Sequence, residues 1–426
     1  MSTPTLKRKI GLWGASLSGI GVIVGAGIYA LLGEATALAG SAVWLSFLLA
    51  AGVAGLTAVS YARLSQHISK DAPEFQYVKL GLGFRAGFLA GWLSIWAQLL
   101  AGATVALGFG GYFELLTGID IVPASLGLII VLSFIVWFGI QESVLLVGTF
   151  TLIEVGGLLL VIFLGLHHWG DQPLWETTKG ATGIWNAASL IFFAYVGFEQ
   201  LGNLAEEMRS PKKDLPRAIV IAFAVSTLLY LLVSISAVSL IGWQTLATSK
   251  APMADVVAGD LKHWSKLILT LIALSSTFNT VLLMLLSVSR TSYGMAQAGA
   301  LPKPLGMLGT RQTPWVSNLL VWLIVSGFVF LGKIALVAQM ANFLILLAFA
   351  LVNWSFFSAQ IRERKERNLR FSWKKFWGLW QPIVALLACV YLALGIGWIP
   401  MGLGAVVVLV GMILGNLKEK NQFSTG

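Results

Sequence analysis

The stretch Gly19-Ile20-Gly21-Val22-Ile23-Val24-Gly25-Ala26-Gly27-Ile28 lies in the middle of the first long apolar run of the chain, and it holds four glycines in nine residues. Each glycine in a helix interior costs about 1 kcal/mol relative to alanine, so a plain spanning rod would not concentrate them here. A helix interrupted at this point opens a new half-helix near Gly25, Ala26 and Gly27. The freed amides and the positive dipole end suit an anion such as a carboxylate. Carbonyls released at Gly21, Val22 and Ile23 suit an ammonium group. The same small residues also suit close packing against a neighbouring helix, and these ten residues alone leave both readings open.

The surrounding sequence fixes the setting. Of 426 residues, 57% are hydrophobic and 11% charged, well below the share of roughly 25% charged residues typical of soluble domains. Apolar runs of about 20 residues recur throughout, each long enough to cross a hydrocarbon layer roughly 30 Å thick. In lipid the backbone must satisfy its own polar groups, so such runs are helices; the ten-residue alternation of an outer-membrane barrel is absent. The expected class is an all-α polytopic membrane protein forming a single transmembrane domain over 1–426. Twelve spans are predicted, at 10–33, 40–61, 84–113, 121–140, 143–166, 183–204, 216–242, 264–291, 315–332, 334–360, 378–396 and 398–416. The first is too long for a signal-peptide core and is expected to stay in the mature protein.

Basic residues set the orientation. With these spans, 23 of the 28 Lys and Arg fall on the side of the termini; Lys179, Lys250, Lys262, Lys266 and Lys333 fall on the other. This bias predicts cytoplasmic N- and C-termini in a cell inner (plasma) membrane. It also accounts for the net charge of +10 through topology and anionic lipid headgroups, so no nucleic-acid partner is expected. One cysteine, Cys389, and four scattered histidines supply neither a disulfide framework nor metal-ligand spacing. No cofactor, no metal and no enzyme activity are expected, and the oligomeric state is unreadable.

The sixth span carries Phe192-Phe193-Ala194-Tyr195-Val196-Gly197-Phe198-Glu199. Gly197 can open the backbone there, and Phe193 and Tyr195 can close over a solute or pack against lipid and helices. Glycine-interrupted spans at corresponding places, first and sixth, point to a transporter's binding site. Two carboxyl groups lie at membrane depth, Glu154 in the fifth span and Glu199 in the sixth. A charge at the bilayer centre costs about 2.5–3.5 kcal/mol or more, so both should face inward. Each can serve proton coupling, which needs a group that binds a proton in one state and releases it in another, or can simply fix helix packing. Glu154 can also contact substrate. Ser275, Ser276 and Thr277 offer hydroxyls for a sodium site as the alternative.

Four stretches carry a family resemblance: the glycine run; Phe-Ala-Tyr-Val-Gly-Phe-Glu at 193–199; Glu206-Glu207-Met208-Arg209-Ser210-Pro211-Lys212-Lys213-Asp214-Leu215-Pro216; and Ser289-Arg290-Thr291-Ser292-Tyr293-Gly294-Met295-Ala296-Gln297-Ala298-Gly299-Ala300-Leu301-Pro302. In order and spacing they resemble the amino acid–polyamine–organocation superfamily of permeases, in the bacterial branch similar to cationic amino-acid transporters. The resemblance implies the leucine-transporter fold, with five-plus-five inverted repeats over 10–166 and 183–360, helices one and six broken, and two further helices at 378–416. It also implies site roles. Backbone at Ile23, Gly25, Ala26 and Gly27 would bind the substrate α-carboxylate. Carbonyls of Val22, Phe193, Ala194 and Val196 would take the α-amine, and Phe193 would be the outer gate. Two departures stand out. The first cytoplasmic loop reads Asp71-Ala72-Pro73-Glu74-Phe75-Gln76-Tyr77 where the family carries Ser-Gly-Gly-x-Tyr. Glu154 stands where proton-coupled relatives often have lysine.

Spans three, eight and ten are expected to supply pocket walls from Gln98, Ala101, Thr104, Thr277, Asn279 and Asn342, which are small or polar without charge. The reading is therefore a secondary amino-acid transporter working by alternating access, with proton-coupled symport or exchange of a neutral or small amino acid. A cationic amino-acid or polyamine antiporter is the alternative, since Glu154 or Glu199 can counter a positive side chain. A non-transporting sensor of the same fold is a third possibility. A channel lacks its rings of charge, and a membrane enzyme lacks a catalytic cluster at membrane depth.

Overall fold

The glycine-rich run does interrupt its helix. In the computed structural model, which describes residues 10–66, 72–138, 144–257, 263–309, 313–366 and 373–424, helix α1 (Leu12–Val24) ends at Gly25, with φ −29° and ψ −155°, and α2 (Ala26–Ala39) begins at once. A short turn at Gly40–Ala42 leads into α3 (Val43–Leu64), so residues 12–64 form one apolar stretch interrupted at Gly25 and again at Gly40–Ala42.

The remaining helices are α4 (Pro73–Leu82), α5 (Phe84–Thr117), α6 (Ile121–Phe138), α7 (Val144–Gly165), α8 (Gly180–Ile191), α9 (Pro211–Thr248), α10 (Pro252–Val256), α11 (His263–Gln297), α12 (Trp315–Val329), α13 (Ile334–Glu366), α14 (Trp373–Ala393) and α15 (Trp398–Ser424). Among the described residues, nine stretches are long and apolar enough to cross a membrane, and α12 and the Gly378–Ala393 part of α14 are shorter apolar helices. The protein is an all-helical chain of the polytopic membrane type. The basic residues Lys7, Arg8, Lys9, Lys70, Lys262, Arg311, Arg367 and Arg370, which entered the orientation argument, lie outside the described residues, as does Asp71 of the departing loop.

Helix α5 is the central post. At 34 residues and about 1.5 Å per residue it is longer than the bilayer core, and it packs along both α13 and α11. Its glycines allow that approach: a Cβ on Gly91 would lie 2.7 Å from the Met295 sulfur of α11. On the other side α1 packs between α7 and α9, while α2 lies along α8 and α9.

Two features differ from the sequence expectation. The sixth span unwinds before Gly197. Helix α8 stops at Ile191, Phe192–Tyr195 form a tight turn, Val196 is extended, and Gly197 has φ +130°. Only glycine takes that value without strain. The reason for the early stop is tertiary: the Asn342 amide of α13 donates to the Ser189 and Leu190 carbonyls at 2.7 and 2.8 Å. Second, the loop at 61–84 contains a buried helix, α4, which starts on Pro73 at its first turn and stops at Gly83, φ +89°.

Candidate functional site: the facing breaks of two helices

The unwound segments of the first and sixth spans touch through their backbones. A Cβ on Gly27 would lie 2.6 Å from the Ala194 Cα, and one on Gly197 would lie 2.8 Å from Val22 Cγ1 and 3.0 Å from the Val22 carbonyl oxygen. Val22, Ile23, Gly25, Ala26 and Gly27 thus come together with Phe193, Ala194 and Val196. Side chains from two further helices close on the first break. Gly21 faces the Thr151 hydroxyl of α7, and Gly25 faces the Thr280 hydroxyl of α11, 2.5 Å from where its Cβ would be.

One tyrosine ties the breaks together. The Tyr230 hydroxyl of α9 lies against the carbonyl oxygens of Ile23 and Ala194, the latter at 2.9 Å. A carbonyl has two acceptor positions, so the bond from Tyr230 occupies one of the two at Ala194. The Phe193 carbonyl accepts from the Val196 amide at 3.2 Å within the turn. Helix α2 has no side-chain cap on its first turn, and a helix start of this kind presents its leading amides, here those of Ala26 and Gly27, to whatever lies before it. Tyr230→Phe is expected to cost about 1–3 kcal/mol by stripping a donor from buried carbonyls. A drop in melting temperature together with weaker substrate binding checks this.

Behind the first break sits the buried carboxyl. Glu154 is 0% exposed while its neighbours Leu152 and Ile153 are 63% and 40% exposed, so it points into the protein and they point outward. Its backbone carbonyl accepts from the Tyr29 hydroxyl at 2.8 Å, and the Tyr29 carbonyl accepts from Tyr112 at 2.8 Å. Its carboxylate faces Ser276 and Asn279 of α11. The Glu154 carboxylate interacts with the Ser276 hydroxyl and the Asn279 amide at the edge of hydrogen-bond geometry, so three polar side chains are clustered in a buried place.

The other expected residues are more tied down. Thr277 donates to the Ala273 carbonyl of its own helix at 2.7 Å, and Thr104 to Leu100 at 2.9 Å. Gln98 donates to Ser94 at 3.2 Å, Ala101 is buried, and Asn342 holds the end of α8. Tyr195 is buried, its hydroxyl on the Phe47 carbonyl at 3.1 Å and its ring against Tyr230; Phe193 is buried beside it. Glu199 accepts from the Gly197 amide at 2.8 Å, so it caps the hinge of the sixth span. Tyr230, Tyr29, Thr151 and Thr280 were not anticipated; single polar residues in apolar runs carry no signal of what they will face. No group of three or more potential metal ligands occurs among the described residues.

The amino acid permease family model matches residues 10–414. The chain belongs to that family. Among similar proteins is the branched-chain amino acid permease BcaP of Bacillus subtilis, 27% identical over 96% of this chain and 92% of that protein. A vacuolar cationic amino acid transporter 2 of Arabidopsis thaliana is 30% identical over 78% of this chain and 57% of that protein. The methylthioribose transporter of Bacillus subtilis is 26% identical over 93% and 90%. This permease therefore shares 78–96% of its length with proteins named for branched-chain amino acids, cationic amino acids and methylthioribose. All of these are named as permeases or transporters, and the family is that of the amino acid permeases.

Proposed function

We propose that this permease is a secondary active transporter that moves a neutral or small amino acid by alternating access, coupled to protons. The observation that carries the reading is the backbone contact between the breaks of the first and sixth spans. The substrate carboxylate lies on the amides that open α2 at Ala26 and Gly27, with Ile23 and Gly25 shaping the approach. The substrate ammonium lies on carbonyls of Val22, Phe193, Ala194 and Val196. Backbone groups suit this task because they read what all amino acids share and leave the side chain to the walls. Those walls, Gln98, Ala101, Thr104, Asn279 and Asn342, bear no formal charge, which favours a neutral solute.

Twelve spans in five-plus-five inverted repeats organise the chain. Support comes from the first apolar stretch, 12–64, holding two spans around the Gly40–Ala42 turn, and from the two shorter helices. Equivalent elements of the repeats also pack on each other, α5 on α11 and α2 on α8. The sidedness has its own support. The Arg209 amide donates to the Ile10 carbonyl at 2.9 Å and Arg85 pairs with Glu419, joining segments assigned to the cytoplasm. Lys250 meets Glu114 at 3.1 Å, and both are assigned to the opposite face. The membrane is the inner (plasma) membrane.

Protons are the coupling ion in this reading because, among the described residues, the groups that face Glu154 are uncharged ones such as Ser276, Asn279 and Tyr29. The alternative, exchange of a cationic amino acid or polyamine, rests on the same carboxylate receiving a positive side chain; a sensor would bind and not transport. Purified protein titrated with each common amino acid and polyamine separates these. A true ligand at 100 times its Kd raises stability by about 2.7 kcal/mol, seen as a higher melting temperature. Proteoliposomes then test flux. Binding without flux under any pH gradient selects the sensor, and no binding to any amino acid defeats the proposal.

A further inference from the structure

Helix α14 meets the sixth span just before its break. The last carbonyls of a helix have no partners within it, and two of those that end α14, on Tyr391 and Leu392, lie against α8. The Trp185 indole N–H donates to the Tyr391 carbonyl at 3.2 Å, and the Ser189 hydroxyl donates to the Leu392 carbonyl at 2.7 Å. The Trp185 and Tyr391 rings stack with their centres 5.2 Å apart. Gly395 allows so close an approach: a Cβ there would collide with the Ser189 hydroxyl and come within 3.1 Å of Trp185 Cε2.

Ser189 is fully buried, and both of its polar groups engage helices other than its own. In an uninterrupted helix its carbonyl would accept from the Phe193 amide; here the Asn342 amide of α13 donates to it at 2.7 Å. Its hydroxyl reaches the Trp185 carbonyl of its own helix at 3.1 Å and Leu392 at 2.7 Å. A hydroxyl has one proton to give, and the nearer acceptor takes it. Helix α14 is in turn held away from this contact. The Gln381 amide donates to the Leu56 carbonyl and the Ser60 hydroxyl of α3 at 2.6 and 3.1 Å. The Cys389 thiol lies 3.5 Å from the Thr57 hydroxyl of α3 and 3.9 Å from the Asn353 amide of α13. The end of α8 is thus gripped by α13 through a carbonyl and by α14 through a hydroxyl, and the tight turn of the sixth span begins three residues later, at Phe192.

We propose that Ser189 is a positioning residue for substrate binding and that the end of α14 is the abutment it bears on. The bond from its hydroxyl to Leu392 fixes the height and rotation of the last turn of α8. With that turn it fixes the carbonyls of Phe193 and Ala194, which receive the substrate ammonium. Carbonyls already held in place need no ordering when substrate arrives; loosened ones must be ordered at that moment, and binding weakens. The role rests on the transporter reading of the site. It is local, which separates it from a general contribution to stability. A bond that holds α14 elsewhere, such as that of Gln381, shares the effect on stability and not the effect on binding.

The test uses the full-length protein in proteoliposomes, with each common amino acid, radiolabelled, as the probe. Amide hydrogen exchange of residues 192–197 is the second readout. Ser189→Ala removes the hydroxyl and keeps a good helix former. It is expected to raise KM for the transported probe by about 3- to 10-fold, the range that one net hydrogen bond covers. The maximal rate should change by less than about twofold, and exchange at 192–197 should quicken. Gln381→Met is expected to lower the melting temperature while KM and that exchange stay at their wild-type values. Gly395→Ala drives a methyl into the contact, so it raises KM in the wild type and by a smaller factor in the Ser189→Ala background, where the hydroxyl is gone. Unchanged KM and unchanged exchange in Ser189→Ala overturn the proposal, whatever happens to the melting temperature. An equal rise of KM in Gln381→Met overturns it as well. If no amino acid moves in the wild type, the transporter reading fails, while exchange at 192–197 in Ser189→Ala against Gln381→Met still decides whether α14 steadies the break.

Discussion

A valine at Gly27 is expected to lower amino-acid uptake on the order of 100-fold at unchanged membrane abundance. The added side chain begins 2.6 Å from the Ala194 Cα and 2.8 Å from its Cβ, and backbone cannot swing aside as a flexible side-chain tip can. Overpacking ordinarily costs about 1–3 kcal/mol, and about 2.7 kcal/mol is already a factor of 100 in affinity. The strain would fall on the contact that lets one solute meet both breaks, so binding is lost before the fold is. Gly52 and Gly156 serve as controls, since a Cβ at either meets nothing within 4 Å. Alanine at those positions is expected to leave uptake unchanged, and even to gain a few tenths of a kcal/mol of helix stability. Radiolabelled uptake normalised to protein in the membrane measures all three. Full activity in Gly27→Val would mean that the facing breaks are packing alone, which is the other reading of the glycine run.

How much of this was readable in the sequence depends on whether the cause is local. The break at Gly25 is local: glycines weaken the helix where it ends, so the pattern names the place. The sixth span shows the limit. Gly197 marks one end of the unwound segment, but unwinding starts at Phe192, in a run of large apolar residues that favours no break. What ends α8 is Asn342, 150 residues away in the chain (|i−j| of 152–153), and no window of sequence contains both. Helix α4 was missed for another reason. It is ten residues long, too short to register as a span, and it sits in a segment whose charges read as a loop. The inward direction of Glu154 was legible because lipid exposure of a carboxylate is so costly; its neighbours Ser276 and Asn279 were separately noticeable, yet only the packing of α7 on α11 brings them to one place. Tyr230 had no sequence signal at all, although its hydroxyl joins the two halves of the site.

Glu154→Gln is expected to separate binding from driving force. Glutamine matches the carboxylate in shape and can hydrogen-bond Ser276 and Asn279, so the helices should pack as before. What it removes is the ability to gain and lose a charge. An uncompensated carboxylate in this interior costs several kcal/mol, so proton coupling requires a proton on Glu154 whenever the site is closed, and cation exchange requires a positive solute group beside it. If the companion is a proton, accumulation driven by a pH gradient should fall to equilibration, a loss of at least about 10-fold, the ratio that one pH unit sustains at about 1.4 kcal/mol. Counterflow of preloaded substrate should persist, because exchange needs binding and alternation but no net proton movement. If the companion is the substrate's own positive charge, the same variant weakens cationic solutes selectively and leaves neutral ones unaffected. A structural carboxyl gives a third pattern, with lower melting temperature and unchanged pH dependence of transport. The three outcomes differ in which quantity moves, and the proton assignment stands only if gradient-driven accumulation is lost while counterflow survives. That combination cannot arise from general damage to the fold, since counterflow uses the same binding site and the same conformational cycle.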